Sequence, residues 1–240
     1  MLTLFHCVSA RSFRPLWMLE EASCPYALRM LPFPPRFQAR AFLDENPLGT
    51  VPLMVDGNVR MTESAAMCQY IAARHSPGEL NVPVVDPAYG EYLNWLHMSD
   101  ATLTFPLTLV LRYTHFEVAE RRQPQVAADY ARWFLARLKA VDAALIGQSY
   151  LCAGRFTAAD VAVGYALLLA EHLGLHSQFP PRVQAYWAAL QRRPAYLRAQ
   201  TAQMQAAIEQ SVSPVPVNFK PTTAPMSPAF RVSTSSREFA

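Results

Sequence analysis

The sequence predicts an α/β domain followed by an all-helical domain. Three features carry this reading. Short apolar strands alternate with helical stretches up to about residue 80, a Pro/Gly-rich break follows over 76–88, and from Tyr89 to about Ala207 no strand-like alternation persists. The expected organisation is a first domain at 1–80, a linker at 81–88, a helical domain at 89–209 and a tail at 210–240. The tail is rich in Pro, Ser and Thr and is expected to be extended or disordered, with Phe219 and Phe230 as anchors should it dock on the body.

The elements follow in chain order. Leu2-Thr3-Leu4-Phe5-His6-Cys7 reads as a short apolar strand. Ser12 to Ala22 reads as a helix whose first turn accommodates Pro15, with Leu16, Trp17 and Leu19 on its apolar side. Tyr26–Leu31 is a second strand and Phe37–Asp44 a short irregular helix. Pro52–Val55 and Val59–Met61 flank Asp56-Gly57-Asn58 and form a hairpin with a tight turn. Thr62–His75 returns to helix. Helices are then expected over about 88–119, 124–146, 157–174, 180–191 and 194–208, with Pro106 bending the first. Tyr130, Phe134, Leu138, Val141 and Leu145 recur at helical spacing and mark a core face.

Composition excludes several function classes. Hydrophobic residues make up 52% and charged residues 16%, which is too apolar and too weakly charged for a disordered chain. The longest apolar stretch, Val161–Ala170, is about half of the roughly 20 residues that cross a bilayer, so no membrane association is expected. The net charge is +3 and no Lys/Arg face is visible, which argues against nucleic acid. Cys7, Cys24, Cys68 and Cys152 lie far apart and no pair has CxxC spacing. With a strand at residues 2–7 and no leader ahead of it, a reduced, cytoplasmic protein is expected. No Walker loop, GxGxxG or HExxH is present, so neither metal nor nucleotide is expected.

The most specific segment is Asn46-Pro47-Leu48-Gly49-Thr50-Val51-Pro52-Leu53, followed by Thr62-Glu63-Ser64. A proline opening a strand donates nothing to the ladder. A cis bond at Val51–Pro52 would turn the chain and leave the backbone of Val51 free to hold an extended peptide. The helix beginning at Glu63-Ser64 offers free N–H groups and a positive end to a carboxylate, while the Glu63 side chain suits an ammonium. Singly, Pro52 reads as an edge-strand proline and Ser64 as an ordinary cap. In this order, they describe a site for a small zwitterionic peptide.

With these motifs the chain resembles the glutathione S-transferase superfamily over residues 1 to about 208. Gly154-Arg155-Phe156-Thr157-Ala158-Ala159-Asp160 adds to the resemblance, being similar to the family's helix-capping segment, and Thr157-x-x-Asp160 is independently a capping box ahead of an apolar run. The resemblance implies a thioredoxin-like N-terminal domain, an all-α C-terminal domain, glutathione as co-substrate and a homodimer. Ser9-Ala10-Arg11-Ser12-Phe13-Arg14 is similar to the Ser-x-x-Ser-x-Arg stretch of serine-type members near the zeta and theta classes. By position Ser9 is then the hydroxyl that donates to the glutathione sulfur, with Ser12 as the alternative. A free thiol has a pKa of about 8.5, so a hydroxyl and a helix N-terminus aimed at the sulfur are needed to favour the thiolate. Arg11 and Arg14 either add positive potential there or serve as structural ion-pair partners. Cys7, on the strand, reads as an apolar filler, and Cys24-Pro25-Tyr26 falls after the first helix, away from the site.

The same resemblance implies that Val51 and Pro52 hold the cysteinyl backbone and Glu63 and Ser64 the γ-glutamyl end. Gln38 is the expected donor to the glycine carboxylate, with Arg36 and Arg40 as rivals. Leu96, His97, Leu103 and Phe105 are expected to receive a small electrophilic hydrophobic substrate, with Tyr113 and His115 as weaker candidates. The expected activity is conjugation of the glutathione thiolate to that electrophile. Two other readings fit the same resemblance: a glutathione-dependent isomerase or dehalogenase, and a non-catalytic glutathione-binding or regulatory module.

Overall fold

The computed structural model describes residues 1–76 and 78–215, so the tail beyond 215, with its candidate anchors Phe219 and Phe230, lies outside the described residues. The strands are β1 (Leu2–His6), β2 (Tyr26–Met30), β3 (Leu53–Asp56) and β4 (Val59–Met61). Among the described residues they form a four-stranded sheet in the order β2-β1-β3-β4. β1 and β2 run parallel with Leu2 opposite Tyr26, and β1 and β3 run antiparallel with Phe5 opposite Leu53. The parallel pair needs a crossover, which α1 (Phe13–Glu21) supplies. The connection between β2 and β3 folds into two single turns, α2 (Pro35–Gln38) and α3 (Phe42–Glu45), where the sequence suggested one irregular helix. α4 (Ser64–His75) closes the domain. This is the thioredoxin-like β-α-β-α-β-β-α order, with the short helical region counted once.

The helical half contains α5 (Tyr89–Met98), α6 (Phe105–Leu111), α7 (Pro124–Ala144), α8 (Ala158–His172), α9 (Pro181–Gln191) and α10 (Pro194–Glu209). The expected long helix over 88–119 runs as α5 and α6 with two π-helical stretches, Ser99–Thr104 and Arg112–Phe116. Pro106 lies in the first turn of α6, where its missing N–H costs least. Every residue of α8 from Ala158 to Ala170 is buried, as suits a helix that is apolar on all sides.

The two halves share one core. α1 is buried from Phe13 to Leu19. Its Trp17 packs against Gly164 of α8 so closely that a Cβ on Gly164 would come within 2.7 Å of the indole. Tyr196 of α10 meets the rings of Phe13, Trp17 and Trp187 edge-on. At the end of α1, Arg193 forms a two-pronged ion pair with Glu21 at 2.6 and 2.8 Å, and Arg198 pairs with Glu20. Thus α1, whose N-terminal loop carries Ser9, is held between the sheet, α8 and α10.

Candidate active site

The loop from Cys7 to Ser12 joins β1 to α1. Ser9 sits at its turn with φ of 56°, a left-handed conformation uncommon for a residue with a side chain. Its backbone N–H donates to Gln203 Oε1 at 3.0 Å, and its carbonyl accepts from the Tyr165 hydroxyl at 3.5 Å. Ser12, the alternative hydroxyl, is fully buried, and its Oγ lies 3.3 Å from the Cys7 N–H and 3.4 Å from the Cys7 carbonyl. It closes the end of β1, whereas Ser9 lines an open cleft of about 240 Å³.

Across the cleft, the 46–53 segment does what its residue types suggest. Asn46 donates to the Thr50 carbonyl and accepts from the Leu48 N–H. Gly49, at φ of 60°, passes so close to Arg36 that a Cβ would lie 2.6 Å from the Arg36 Cβ. This tight turn carries Thr50 and Val51 to the rim, and the Val51–Pro52 bond is cis. Ladder pairing of β3 with β1 begins at Leu53, so Val51 lies outside it. A second cis bond, Phe33–Pro34, falls where the sequence singled out nothing.

Of the predicted site residues, Ser9 and Val51 line this cleft together. Gln38 does not. It is exposed and its amide donates to the Phe33 carbonyl at 2.8 Å, while Arg36, its rival, lines the cleft. Glu63 lines a second cavity of about 550 Å³, together with Leu96, His97, Asp100 and Phe105. Arg11 lines both cavities, and its guanidinium donates to Thr108 Oγ1 at 2.9 Å. Leu103 is wholly buried in the core and lines neither cavity. The apolar side of the Ser9 cleft is built instead by Leu111, Phe116 and Leu169 of the helical half and by Phe33, whose ring stacks on Phe116 at 5.4 Å. Phe33, Leu111 and Phe116 were not singled out in the sequence.

Ser64 is buried at the first position of α4, and its Oγ accepts from Arg14 at 2.8 Å. Arg14 is fully buried and also donates to Asp100, to the Ser99 and Ala162 carbonyls and to Thr104 Oγ1. Of the two readings of Arg14, the structural one holds. Its guanidinium ties the start of α4 to the π-helical stretch after α5.

Burial pushes the thiols of Cys7 and Cys68 up to about 12 and that of Cys152 to about 11, so none of the three is a poised nucleophile. Burial also raises Cys24, with Asp56 adding to it. Cys7 is the apolar filler the sequence suggests. Thr157 and Asp160 form the expected capping box at the start of α8.

A thioredoxin-like domain docked on a helical domain, with a serine loop and a cis-proline segment facing one cleft, defines a narrow class of proteins. Residues 8–74 match the family model for the glutathione S-transferase N-terminal domain. The chain is 24% identical over 212 residues to glutathione S-transferase 3 of Schizosaccharomyces pombe, covering 81% of this chain and 85% of that one. Its fold matches the glutathione transferase URE2P8 of Phanerochaete chrysosporium, solved with oxidized glutathione, at a TM-score of 0.76, 19% identity and coverage of 86% and 96%. It also matches the theta-class glutathione S-transferase of Xanthomonas axonopodis pv. citri, solved with glutathione bound, at a TM-score of 0.70, 25% identity and coverage of 82% and 96%. The N-terminal half thus matches the glutathione S-transferase N-terminal domain, and the chain as a whole is similar to glutathione S-transferases in sequence and fold. Among the described residues no helix is long and apolar enough to cross a membrane.

Proposed function

We propose that this protein is a serine-type glutathione transferase that conjugates glutathione to a small hydrophobic electrophile, acting as a cytoplasmic homodimer. The observation that carries the reading is the shared cleft. Ser9 and Val51 line it from the thioredoxin-like half, and Leu111 and Phe116 line it from the helical half. The backbone of Val51 holds the cysteinyl unit in strand-like fashion. Arg36 takes the glycine carboxylate, in place of Gln38. Glu63 takes the γ-glutamyl ammonium, and the N-terminus of α4 at Ser64 faces its carboxylate.

The thiol loses its proton to solvent, and the Ser9 hydroxyl donates a hydrogen bond to the thiolate that remains. The sulfur lone pair then forms a bond to the electrophilic carbon, and the leaving group departs with the electrons of the broken bond. Lowering the thiol pKa by about two units is worth about 2.7 kcal/mol and raises the ionised fraction at neutral pH by more than tenfold. The apolar side of the cleft seats the electrophile against the sulfur.

The test is retention on glutathione resin followed by conjugation of chlorodinitrobenzene. Ser9→Ala is expected to keep binding glutathione while kcat/KM at neutral pH falls by roughly 10- to 30-fold, the share of thiolate one hydrogen bond supplies. Turnover unchanged by Ser9→Ala would move the role to another group, and binding without turnover across varied electrophiles would make the protein a carrier.

A further inference from the structure

The left-handed turn at Ser9 is tied down from the far end of the chain. Gln203 lies on α10, 194 residues away, and is 1% exposed. Its Oε1 accepts from the Ser9 N–H and from His6 Nε2, each at 3.0 Å. Its Nε2 donates to Gln200 Oε1 at 2.6 Å, and Gln200 Nε2 donates to the Tyr196 hydroxyl at 2.9 Å. Donors and acceptors therefore run one way along α10, which fixes the face of the Gln203 amide that meets the loop. A backbone N–H needs an acceptor, so only the oxygen can sit there. His6 is then the tautomer carrying its proton on Nε2. Burial holds that imidazole neutral and lowers its pKa to about 4.

α10 is itself anchored at three levels. Arg193 and Arg198 pair with Glu21 and Glu20 at the end of α1. Beyond the helix, the Gln210 side chain accepts from the Met30 N–H and donates to the Leu28 carbonyl, so it caps the open edge of β2. Gln203 lies between these anchors, opposite the Ser9 loop. A non-glycine residue keeps φ of 56° only where its surroundings over-determine it. The bond from the Ser9 N–H to Gln203 is the shorter of the two that α10 and α8 make to the backbone of Ser9.

We propose that Gln203 is a positioning residue for the reaction. By accepting from the Ser9 N–H it holds Ser9 in its left-handed conformation and so aims the hydroxyl at the glutathione sulfur. The helical domain thereby sets thiolate stability as well as electrophile fit. This rests on the reading of Ser9 given above.

The experiment titrates the ultraviolet absorbance of the thiolate of bound glutathione against pH in wild type, Gln203→Leu, Ser9→Ala and the double variant. Gln203→Leu keeps the bulk and removes the acceptor. It is expected to raise the bound thiol pKa by about one unit, cutting the thiolate about tenfold below that pKa. kcat at neutral pH falls in parallel, while KM for glutathione stays within about twofold because Val51, Arg36 and Glu63 are untouched. In the Ser9→Ala background Gln203→Leu is expected to add no further shift. A wild-type thiol pKa in Gln203→Leu overturns the proposal, as does an equal shift on top of Ser9→Ala. If Ser9→Ala itself shifts nothing, the reading of Ser9 falls and this inference with it. Should Gln203→Leu fail to fold, Gln200→Ala releases the amide from the other side. It is expected to give a smaller shift in the same direction, and an unchanged pKa there counts equally against the proposal.

Discussion

Two buried charges anchor the helical half, and they are satisfied in opposite ways. Arg14 meets a counter-charge, Asp100 at 2.9 Å, together with hydroxyls and carbonyls drawn from α4, α8 and the π-helical stretch after α5. Asp160 meets only neutral donors: the N–H groups of Leu151 and Thr157 and the hydroxyls of Thr157 and Tyr186. The consequence is visible in the carboxylates. Burial pushes Asp100 up, but Arg14 and then Arg11 outweigh it and hold it below the usual range. Burial also pushes Asp160 up, its four donors do not offset this, and it reaches about 6. The first charge joins elements from both domains beside the site. The second caps one helix.

The widest break in this comparison comes from removing the cation. Arg14→Met leaves Asp100 only its longer pairing with Arg11 at 3.9 Å and removes the guanidinium bonds to Ser64, Thr104 and the Ser99 and Ala162 carbonyls. A loss of about 3–5 kcal/mol is expected, read as a lower denaturant midpoint at unchanged slope. Adding Asp100→Asn should recover part of that loss if the charge pair dominates and none if the hydroxyl and carbonyl bonds do. Asp160→Asn keeps the shape and one acceptor, and is expected to cost less, about 1–3 kcal/mol.

Proton linkage sharpens the same contrast. The folded-state pKa of Asp160, about 6, lies above its ordinary 3.8, so the folded state binds that proton more tightly. Its contribution favours the fold at low pH and is lost as pH rises from about 4 to about 6. His6 behaves oppositely. Burial lowers it from 6.5 to about 4, so its contribution is full above 6.5 and is lost as pH falls toward 4. The stability gap between wild type and Asp160→Asn should therefore narrow as pH rises through 4 to 6, measured by denaturant titration at each pH. A gap constant across that window would mean that Asp160 keeps an ordinary pKa.

The thioredoxin-like half was legible because its signals are local. Turn residues at Asp56-Gly57-Asn58, the Val51-Pro52 step and the polar start of α4 each act within a few residues. The capping box at Thr157 and Asp160 is equally local. The far side of the cleft was not legible, and Leu103 shows why. Apolarity in a helix marks the core first, and Leu103, Leu107 and Val110 all point there. The cleft face runs beside that stripe through Thr108, Leu111 and Phe116, where half-buried residues carry no periodic signature. The two π-helical stretches also turn later residues around the axis relative to an unbroken helix. Gln38 and Arg36 differ by which way a single-turn helix faces, and Gln203 acts across 194 residues of chain.

The smallest expected effect separates the cleft from both buried charges. Phe116 is 40% exposed, and Phe33 stacks on it. Phe116→Ala should cost under about 1 kcal/mol of stability, as partly exposed positions do. If an aromatic electrophile seats on this pair, the lost ring contact of about 0.5–1.5 kcal/mol raises its KM by roughly 2- to 12-fold. kcat and the KM for glutathione should hold, because Ser9 and Val51 are unaltered. Phe105 is the matched control, being 52% exposed and lining the second cavity but not the Ser9 cleft. Phe105→Ala should leave the electrophile KM where it was. Equal effects from the two substitutions would mean that exposure, and not place in the cleft, governs the response. An effect from Phe105→Ala alone would return the electrophile to the side of the molecule where the sequence first put it.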